Sequence, residues 1–458
     1  MVGGGVSGLA AAHRLRTLLG PEAAITVLEQ RDRTGGVLHT VELAGVPFDV
    51  GAEAFLARRP EVPALLDELG LGGRIVHPTG ARASVRAAGR IGPLPGGTLM
   101  GVPTSAAHLA DVLSPAGLAA VAAEPAAPLH WRRDADPALG LLLRERFGAE
   151  VTERLADPLL GGVYAGRVDT LGLRATVPAL AAALDAGAPS LTAAADRAVG
   201  DASRAPQAGG PVFGAVEGGY RVLLDALTAA SGASLRLGTT VRLLERTAAG
   251  WRLTLGPVPD PEYLDVDAVV LAVPAPAAAR LLATAAPAAA GAAGEIELAS
   301  SVVVALAYRP DDVTLPGTSG VLVAADEPFA IKAATHSTTK WDHLSPDGLV
   351  RLRASLGRFG EAATLQVDDA ELVARVRADL ATLTGTTAAP VAVHVQRWGG
   401  GLPQYAPGHL DRVAAIEQGL PAGLAVAGAA LHGVGVPACI ATARAAAERV
   451  AASLVPAA

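Results

Sequence analysis

The sequence predicts an α/β protein. A nucleotide-binding domain is split into three segments by a helical insertion and by a mixed β-sheet substrate domain. Three observations predict this. Glycine-rich turns followed by helical spacing occur near both ends, at Gly3–Gly8 and Gly428–Gly435. Residues 86–205 are rich in Ala and Leu, with Pro and Gly at short intervals. Residues 281–418 carry alternating, β-branched runs. The division assigns 1–85, 206–280 and 419–458 to the nucleotide-binding domain, 86–205 to the helical domain and 281–418 to the β-rich domain.

The chain opens on GGGVSG. In a dinucleotide-binding turn Gly3 permits the tight turn, Gly5 lets the backbone approach a pyrophosphate, and Gly8 allows the next helix to pack closely on the sheet. Val6 and Ser7 complete the loop. Leu9, Ala12, Leu15 and Leu19 then fall on one helical face, and Gly20-Pro21 stops it. The run AITVLE is β-branched and ends in Glu29, 21 positions after Gly8. An acid at that separation accepts hydrogen bonds from an adenosine ribose. Gln30 follows it. Loop, helix, stop, strand and acid in order make a Rossmann-like βαβ start. Only Met1 and Val2 precede the turn, a reach of about 7 Å at ~3.3 Å per residue. The expectation is therefore a native start four or five apolar residues upstream, because a charged amine inside a sheet is costly.

The helical pieces are clearest in SPAGLAAVAAEP, PALGLLLRERFG and VTERLADPLL. A polar linker is expected over 200–210. Gly218-Gly219 then leads into a helix with Val222, Leu223, Leu227 and Ala230 on one face. Strands follow, and a buried strand is expected over 266–273, ended by Pro274. The Ala-rich run after it reads as a helix plus a surface loop. SVVVALAYR, GVLVAA, IKAATHST, LVRLRASLG and VAVHVQRWGG read as sheet strands. Near the C-terminus a strand precedes Gly428 and a helix follows Gly435. The free N–H groups and partial positive charge of such a helix start can hold negative charge.

Composition narrows the function. The net charge of −7 argues against nucleic-acid binding. One cysteine, Cys439, excludes an internal disulfide and a cysteine-based metal site, so no metal is expected. No stretch is long and apolar enough for a membrane span, and no secretory signal is legible. A cytoplasmic location is expected, with peripheral membrane association left open.

After Glu29 the pattern E-x-x-x-R-x-G-G, with Arg33, Gly35 and Gly36, resembles the second signature of the flavin-containing amine oxidase and desaturase superfamily. Further stretches resemble the porphyrinogen oxidases: FLARRPEVPALLDELGL, GRIGPLPGGTLMGVP, ERLADPLLGGVYAGRVDTLGLRATVPAL, PVFGAVEGGYRVL, TTKWDH, QRWGGGLPQYAPGH and GAALHGVGVPACI. The resemblance implies non-covalent FAD in a split Rossmann-like domain. It places Arg33, Gly35 and Gly36 along the flavin, and the FDVGAEAFL stretch, with Gly51, Ala52 and Glu53, near the ring. Val434, Gly435 and Val436 would face the ring beside Gly428; Val241 and Val273 complete the expected FAD contacts. Cys439, inside the C-terminal helix, is not expected to carry the flavin.

The chemistry the resemblance implies is oxidation of coproporphyrinogen III to coproporphyrin III in haem biosynthesis, with O2 as acceptor and product passed to a downstream enzyme. Protoporphyrinogen IX oxidation, another amine or carotenoid oxidase activity, and a non-catalytic flavin or porphyrin carrier are the alternatives. Arg58, Arg59, Arg82 and Arg167 are candidate partners for propionates, and Lys332 and Lys340 stand beside them as cations. Leu160, Tyr164 and Leu171 are candidate pocket walls. No catalytic side chain is assigned. Amine oxidases of this fold carry a lysine near the flavin, and alignment by eye puts Val304 at that position.

Overall fold

The computed structural model describes residues 1–204 and 210–454. Residues 205–209, the middle of the expected linker, lie outside the described residues. The helix Val6–Leu19 starts directly after Gly5, buries Leu9, Ala12 and Leu15, and ends at Gly20, whose φ is 81°. The strand Thr26–Leu28 pairs in parallel with Ser234–Arg236. Val269–Leu271 pairs in parallel with Leu424–Val426. Val2 bridges the two pairs, in parallel with both Leu28 and Leu271. Two residues thus enter the sheet: Val2 N–H donates to the Val270 carbonyl and Leu28 N–H to that of Met1, each at 2.9 Å. The Met1 amine donates to the Thr26 carbonyl at 2.7 Å, and burial pushes its pKa down to about 5.

One side of these strands is covered by the helices Val6–Leu19, Tyr220–Ser231 and Val436–Leu454, which share a core of Leu9, Leu15, Leu223, Leu227, Ile440 and Ala443. The buried face of the 220–231 helix includes Leu224, while Ala230 is exposed. The other side packs on a three-stranded antiparallel sheet (241–266) through Leu244, Trp251 and Leu253. The buried strand is shorter than expected, and the Ala-rich run after it forms two helices, Ala275–Leu282 and Pro287–Gly294, where a helix and a loop were expected. Alanine propensity and Pro at N1 carry the second helix.

The helical unit packs around Leu139, Leu143, Phe147, Leu160, Leu171 and Leu180. Thr152–Ala156 forms a π-helical turn just before Asp157–Tyr164. Pro158, which has no N–H to donate, lies in the first turn of that helix. The Asp157 carboxylate accepts the Val168 N–H at 2.9 Å.

The β-rich unit is a seven-stranded sheet in the order 392–403, 298–308, 350–356, 331–335, 320–323, 83–87, 90–93. Residues 83–93, which straddle the expected boundary at 85, therefore belong to this sheet. Ala83–Ala87 pairs in parallel with Gly320–Val323, and Ser84 Oγ donates to the Gly320 carbonyl at 2.9 Å. One face of the sheet, with Val302, Val304, Leu306 and Leu352, packs under the helix Asp369–Thr384. The opposite face, with Ala305 and Ala307, packs on the 40–49 hairpin through Leu43 and Phe48.

Candidate functional site

The glycines of the opening turn have separate steric reasons. A Cβ on Gly3, whose φ is +101°, would lie 2.3 Å from the Ala272 carbonyl oxygen, and one on Gly8 would lie 1.9 Å from that of Gly3. A Cβ on Gly5 would meet only the Gly36 Cα, at 3.9 Å. Gly3 and Gly8 are closed by packing, whereas Gly5 is open. The turn is tied to the next strand through Glu29. Its Oε2 accepts the Gly4 N–H at 2.7 Å and its Oε1 the Arg31 N–H at 2.9 Å. Each oxygen keeps a further lone pair for a ligand hydroxyl.

A single cleft begins here. Gly3, Gly5, Glu29, Gln30, Gly36, Val241 and Val273, all expected contacts, line it together. Arg31, Val37, Thr239, Thr240, Pro274, Arg280 and Trp398–Gly401 line it as well and were not among the expected contacts. The cleft joins a carboxylate, a helix N-terminus with unblocked amides, and a wall of Trp398 and glycines. This donor and acceptor set fits a dinucleotide with an aromatic end: amides for a diphosphate, an acid for a ribose. Trp398 is fixed by its indole N–H, which donates to the Val50 carbonyl at 3.0 Å. The signal for this wall, QRWGGG, is visible in the sequence, but its proximity to Gly3 depends on sheet order.

Arg33 is half-buried and turns inward. Its guanidinium donates to the carbonyls of Thr34 and Gly36, each at 2.9 Å. It thereby shapes the Gly35-Gly36 turn, and Gly35 N–H in turn bonds the Gly4 carbonyl at 2.8 Å. Val6 and Ser7 are buried in the first turn of the helix.

The 49–53 segment is clamped from behind. A Cβ on Gly51 would lie 2.0 Å from the Val37 carbonyl oxygen. Arg353 donates to the carbonyls of Asp49 and Gly51 at 3.0 and 2.8 Å. Glu53 bonds Lys340 Nζ at 2.5 Å, with Arg353 at 3.7 Å. Burial alone would raise the Glu53 carboxyl; Lys340 and Arg353 outweigh it and hold it down at about 2. Glu53 is thus engaged with cations and does not line the cleft, while Ala52 is exposed. Burial pushes Asp49 up to about 7, even though it caps the 220–231 helix by accepting the Tyr220 N–H.

At the C-terminal turn Gly428 lies beside the first helix: a Cβ on it would be 3.7 Å from Ser7 Oγ. Tyr405 holds the turn together. Its hydroxyl donates to the Ala429 carbonyl at 2.6 Å and accepts the Gly433 N–H at 2.8 Å, and its ring stacks on His409 with centroids 3.7 Å apart. Gly435 is exposed at the start of the helix Val436–Leu454. Val434 packs toward the helical core, and neither it, Gly435 nor Val436 lines the cleft at Gly5.

Residues 6–451 match the family model for flavin containing amine oxidoreductase. The chain belongs to that family. Flavin is the family's cofactor, as FAD, and the cleft supplies the groups it needs. Among relatives, the chain is 48% identical over 443 residues to a coproporphyrinogen III oxidase of Mycobacterium bovis, covering 96% of this chain and 94% of that one. It is 48% identical over 444 residues to one of Mycobacterium leprae, covering 97% and 96%. A solved structure described as a putative protoporphyrinogen oxidase from Exiguobacterium sp. 255-15 aligns with a TM-score of 0.83 at 30% identity, over 98% of both chains.

Within this flavin-family framework several expected contacts are redirected. Val304 is completely buried under the 369–384 helix, so the period of two in a strand turns it away from the 40–49 hairpin; Ala305 faces that hairpin. Arg59 pairs with Glu61 at the surface, and Arg167 pairs with Glu361 at 2.9 Å. Arg58 is exposed and donates to the Gly210 carbonyl at 3.3 Å, and Arg82 is exposed. Leu160 and Leu171 have no exposed surface and serve the helical core, so they offer no pocket wall. Tyr164 lies at the edge of that core, 5.4 Å between centroids from Tyr405, and burial pushes its hydroxyl up to about 12. Cys439 is buried among the helices, where burial raises its thiol to about 11. Among the described residues no helix is long and apolar enough to cross a membrane.

Proposed function

We propose that this chain oxidises coproporphyrinogen III to coproporphyrin III, using non-covalent FAD with O2 as the final acceptor. The observation that carries the reading is likeness along nearly the whole chain, 48% identity over 96% of it, to relatives bearing that name. Bound there, FAD would supply the hydride acceptor for three successive two-electron oxidations of the substrate. The protein's own part is placement and exclusion of water. The turn from Gly3 to Gly8 and Glu29 would hold the dinucleotide. Gly35, Gly36, Gly51 and the Gly428–Val436 turn would border the ring, with Trp398–Gly401 as the facing wall. Pyrrolic protons can leave to solvent, so no side chain is required as a base.

The three-segment nucleotide domain, the helical insertion and the β-rich sheet, now extended to include 83–93, form the proposed division of labour. A cytoplasmic setting and delivery of the product to a later haem-pathway enzyme belong to the same reading. An amine oxidase reading is less well supported, because the chain's two lysines lie at Lys332 and Lys340, away from the 298–308 strand. The name of the Exiguobacterium structure favours protoporphyrinogen as a second reading. The test offers both porphyrinogens to the FAD-loaded protein and follows porphyrin fluorescence. A higher kcat/KM for coproporphyrinogen III is expected. A clear preference for protoporphyrinogen IX, or turnover of amines alone, overturns the proposal.

A further inference from the structure

Trp398, at the wall of the flavin cleft, pairs with Ser301. One residue further along that strand, Val302 pairs with Leu356, and Leu356 pairs with Ile331 on the next strand. The sheet end thus runs from Trp398 across to Lys332 and to Arg358, just past Leu356. Three strand spacings of ~4.8 Å separate Trp398 from Lys332, about 14 Å. The helix Asp157–Tyr164 packs over the Lys332 strand, and Phe359 N–H donates to the Ala165 carbonyl at 2.6 Å.

Lys332 is only 6% exposed. Among the described residues its ammonium has neither a hydrogen bond nor an ion pair, and Nζ is not fully enclosed. The half-buried Arg358 guanidinium is in the same condition. The nearby acids are already engaged. Glu361 Oε1 accepts from Arg167 at 2.9 Å, its Oε2 accepts the Arg358 backbone N–H at 3.1 Å, and Asp157 accepts the Val168 N–H. Burial, and then Arg358, push the Lys332 ammonium down to about 8. Asp157 and Glu361 offset this only in part, since burial and repulsion from a neighbouring arginine still hold Lys332 and Arg358 below their ordinary values; a carboxylate hydrogen-bonded to both heads would relieve both.

We propose that Lys332 and Arg358 together bind a propionate carboxylate of the porphyrinogen, on the side of the macrocycle far from the carbon presented at Trp398. This rests on the porphyrinogen reading above. It replaces the exposed or paired arginines 58, 59, 82 and 167 as the main carboxylate site.

The test uses the FAD-loaded full chain and titrates coproporphyrin III by porphyrin fluorescence, alongside steady-state kinetics with coproporphyrinogen III. Lys332→Met is expected to weaken coproporphyrin III binding at least tenfold and to raise KM with kcat changed less than threefold. Lys332→Arg is expected to stay within threefold of wild type. Arg252→Met, which removes a surface cation paired with Asp265, controls for net charge and is expected to change nothing. The tetramethyl ester of coproporphyrin III is expected to bind wild type and Lys332→Met alike. Should Lys332→Met fail to retain FAD, Arg358→Gln decides in the same titration. Unchanged binding and KM in a folded, FAD-loaded variant overturn the proposal while wild-type turnover stands. A wild type that forms no coproporphyrin overturns the porphyrinogen reading and the proposal together.

Discussion

Replacing Lys340 by Met removes the cation 2.5 Å from Glu53 while keeping an unbranched side chain only one atom shorter. The two side chains are 20% and 16% exposed, so the pair is largely shielded from water. Breaking such a pair on one side costs ~3–5 kcal/mol, because the remaining charge stays buried. Arg353 remains 3.7 Å from Glu53 and softens the loss, which sets the expectation near the lower end, about 3 kcal/mol. The carboxyl itself gives the same scale. Held at about 2 rather than 4.5, it stabilises the fold at neutral pH by about 3 kcal/mol. That contribution is complete above pH 4.5 and is lost as pH falls toward 2, since the unfolded state then takes up the proton first. For 458 residues unfolding as one unit, this is a drop in Tm of about 3 °C. The assay is thermal and urea unfolding of the FAD-loaded protein at pH 7 and across pH 3–5, with Lys340→Met, Glu53→Gln and the double variant. Wild type should lose stability as pH falls from about 4.5, Lys340→Met should lose less over the same range because its Glu53 carboxyl is no longer held down, and the double variant should be more stable than Lys340→Met alone at pH 7. A Lys340→Met protein that melts with wild type, or a double variant no better than the single, refutes the reasoning.

Other consequences concern the cofactor cleft. Gly8→Ala would set a Cβ 1.9 Å from the Gly3 carbonyl oxygen, so the purified protein should emerge from gel filtration without flavin colour. Glu29→Gln offers one acceptor oxygen where Gly4 and Arg31 N–H groups now use two; one donor is left unpaired, and the FAD Kd measured by fluorescence titration should rise roughly tenfold. Tyr405→Phe deletes the bonds to Ala429 and Gly433 and should lower urea stability by ~1–3 kcal/mol, with faster FAD release.

The opening turn was legible because each of its features is local: glycine spacing, helical periodicity, the stop at Gly20 and the acid at Glu29. The C-terminal turn was legible for the same reason. What the chain hides are contacts made across hundreds of residues. Residues 83–93 join the β-rich sheet through pairing with 320–323, which no local pattern announces. Val304 and Ala305 lie on opposite faces of the 298–308 strand, a distinction that a period of two hides from an unaligned sequence, because a shift of one residue flips every side chain to the other face. The irregular register between Ile331 and Ala333 obscures in the same way which face Lys332 occupies. Arginine roles depend on which acid or carbonyl folds beside them. Arg33 and Arg353 serve backbone carbonyls, Arg59 and Arg167 serve neighbouring acids, and the Arg358 guanidinium, near Asp157 and Glu361, makes no hydrogen bond or ion pair among the described residues.

The central claim is that this flavoprotein takes electrons from a porphyrinogen carbon. The most direct measurement is anaerobic mixing of the FAD-loaded chain with coproporphyrinogen III in a stopped-flow spectrometer. Flavin absorbance should bleach in one two-electron step, and admission of O2 should restore the flavin and let the remaining two rounds build the porphyrin absorbance. Flavin that stays oxidised with coproporphyrinogen III, but bleaches with protoporphyrinogen IX or an amine, would contradict the account.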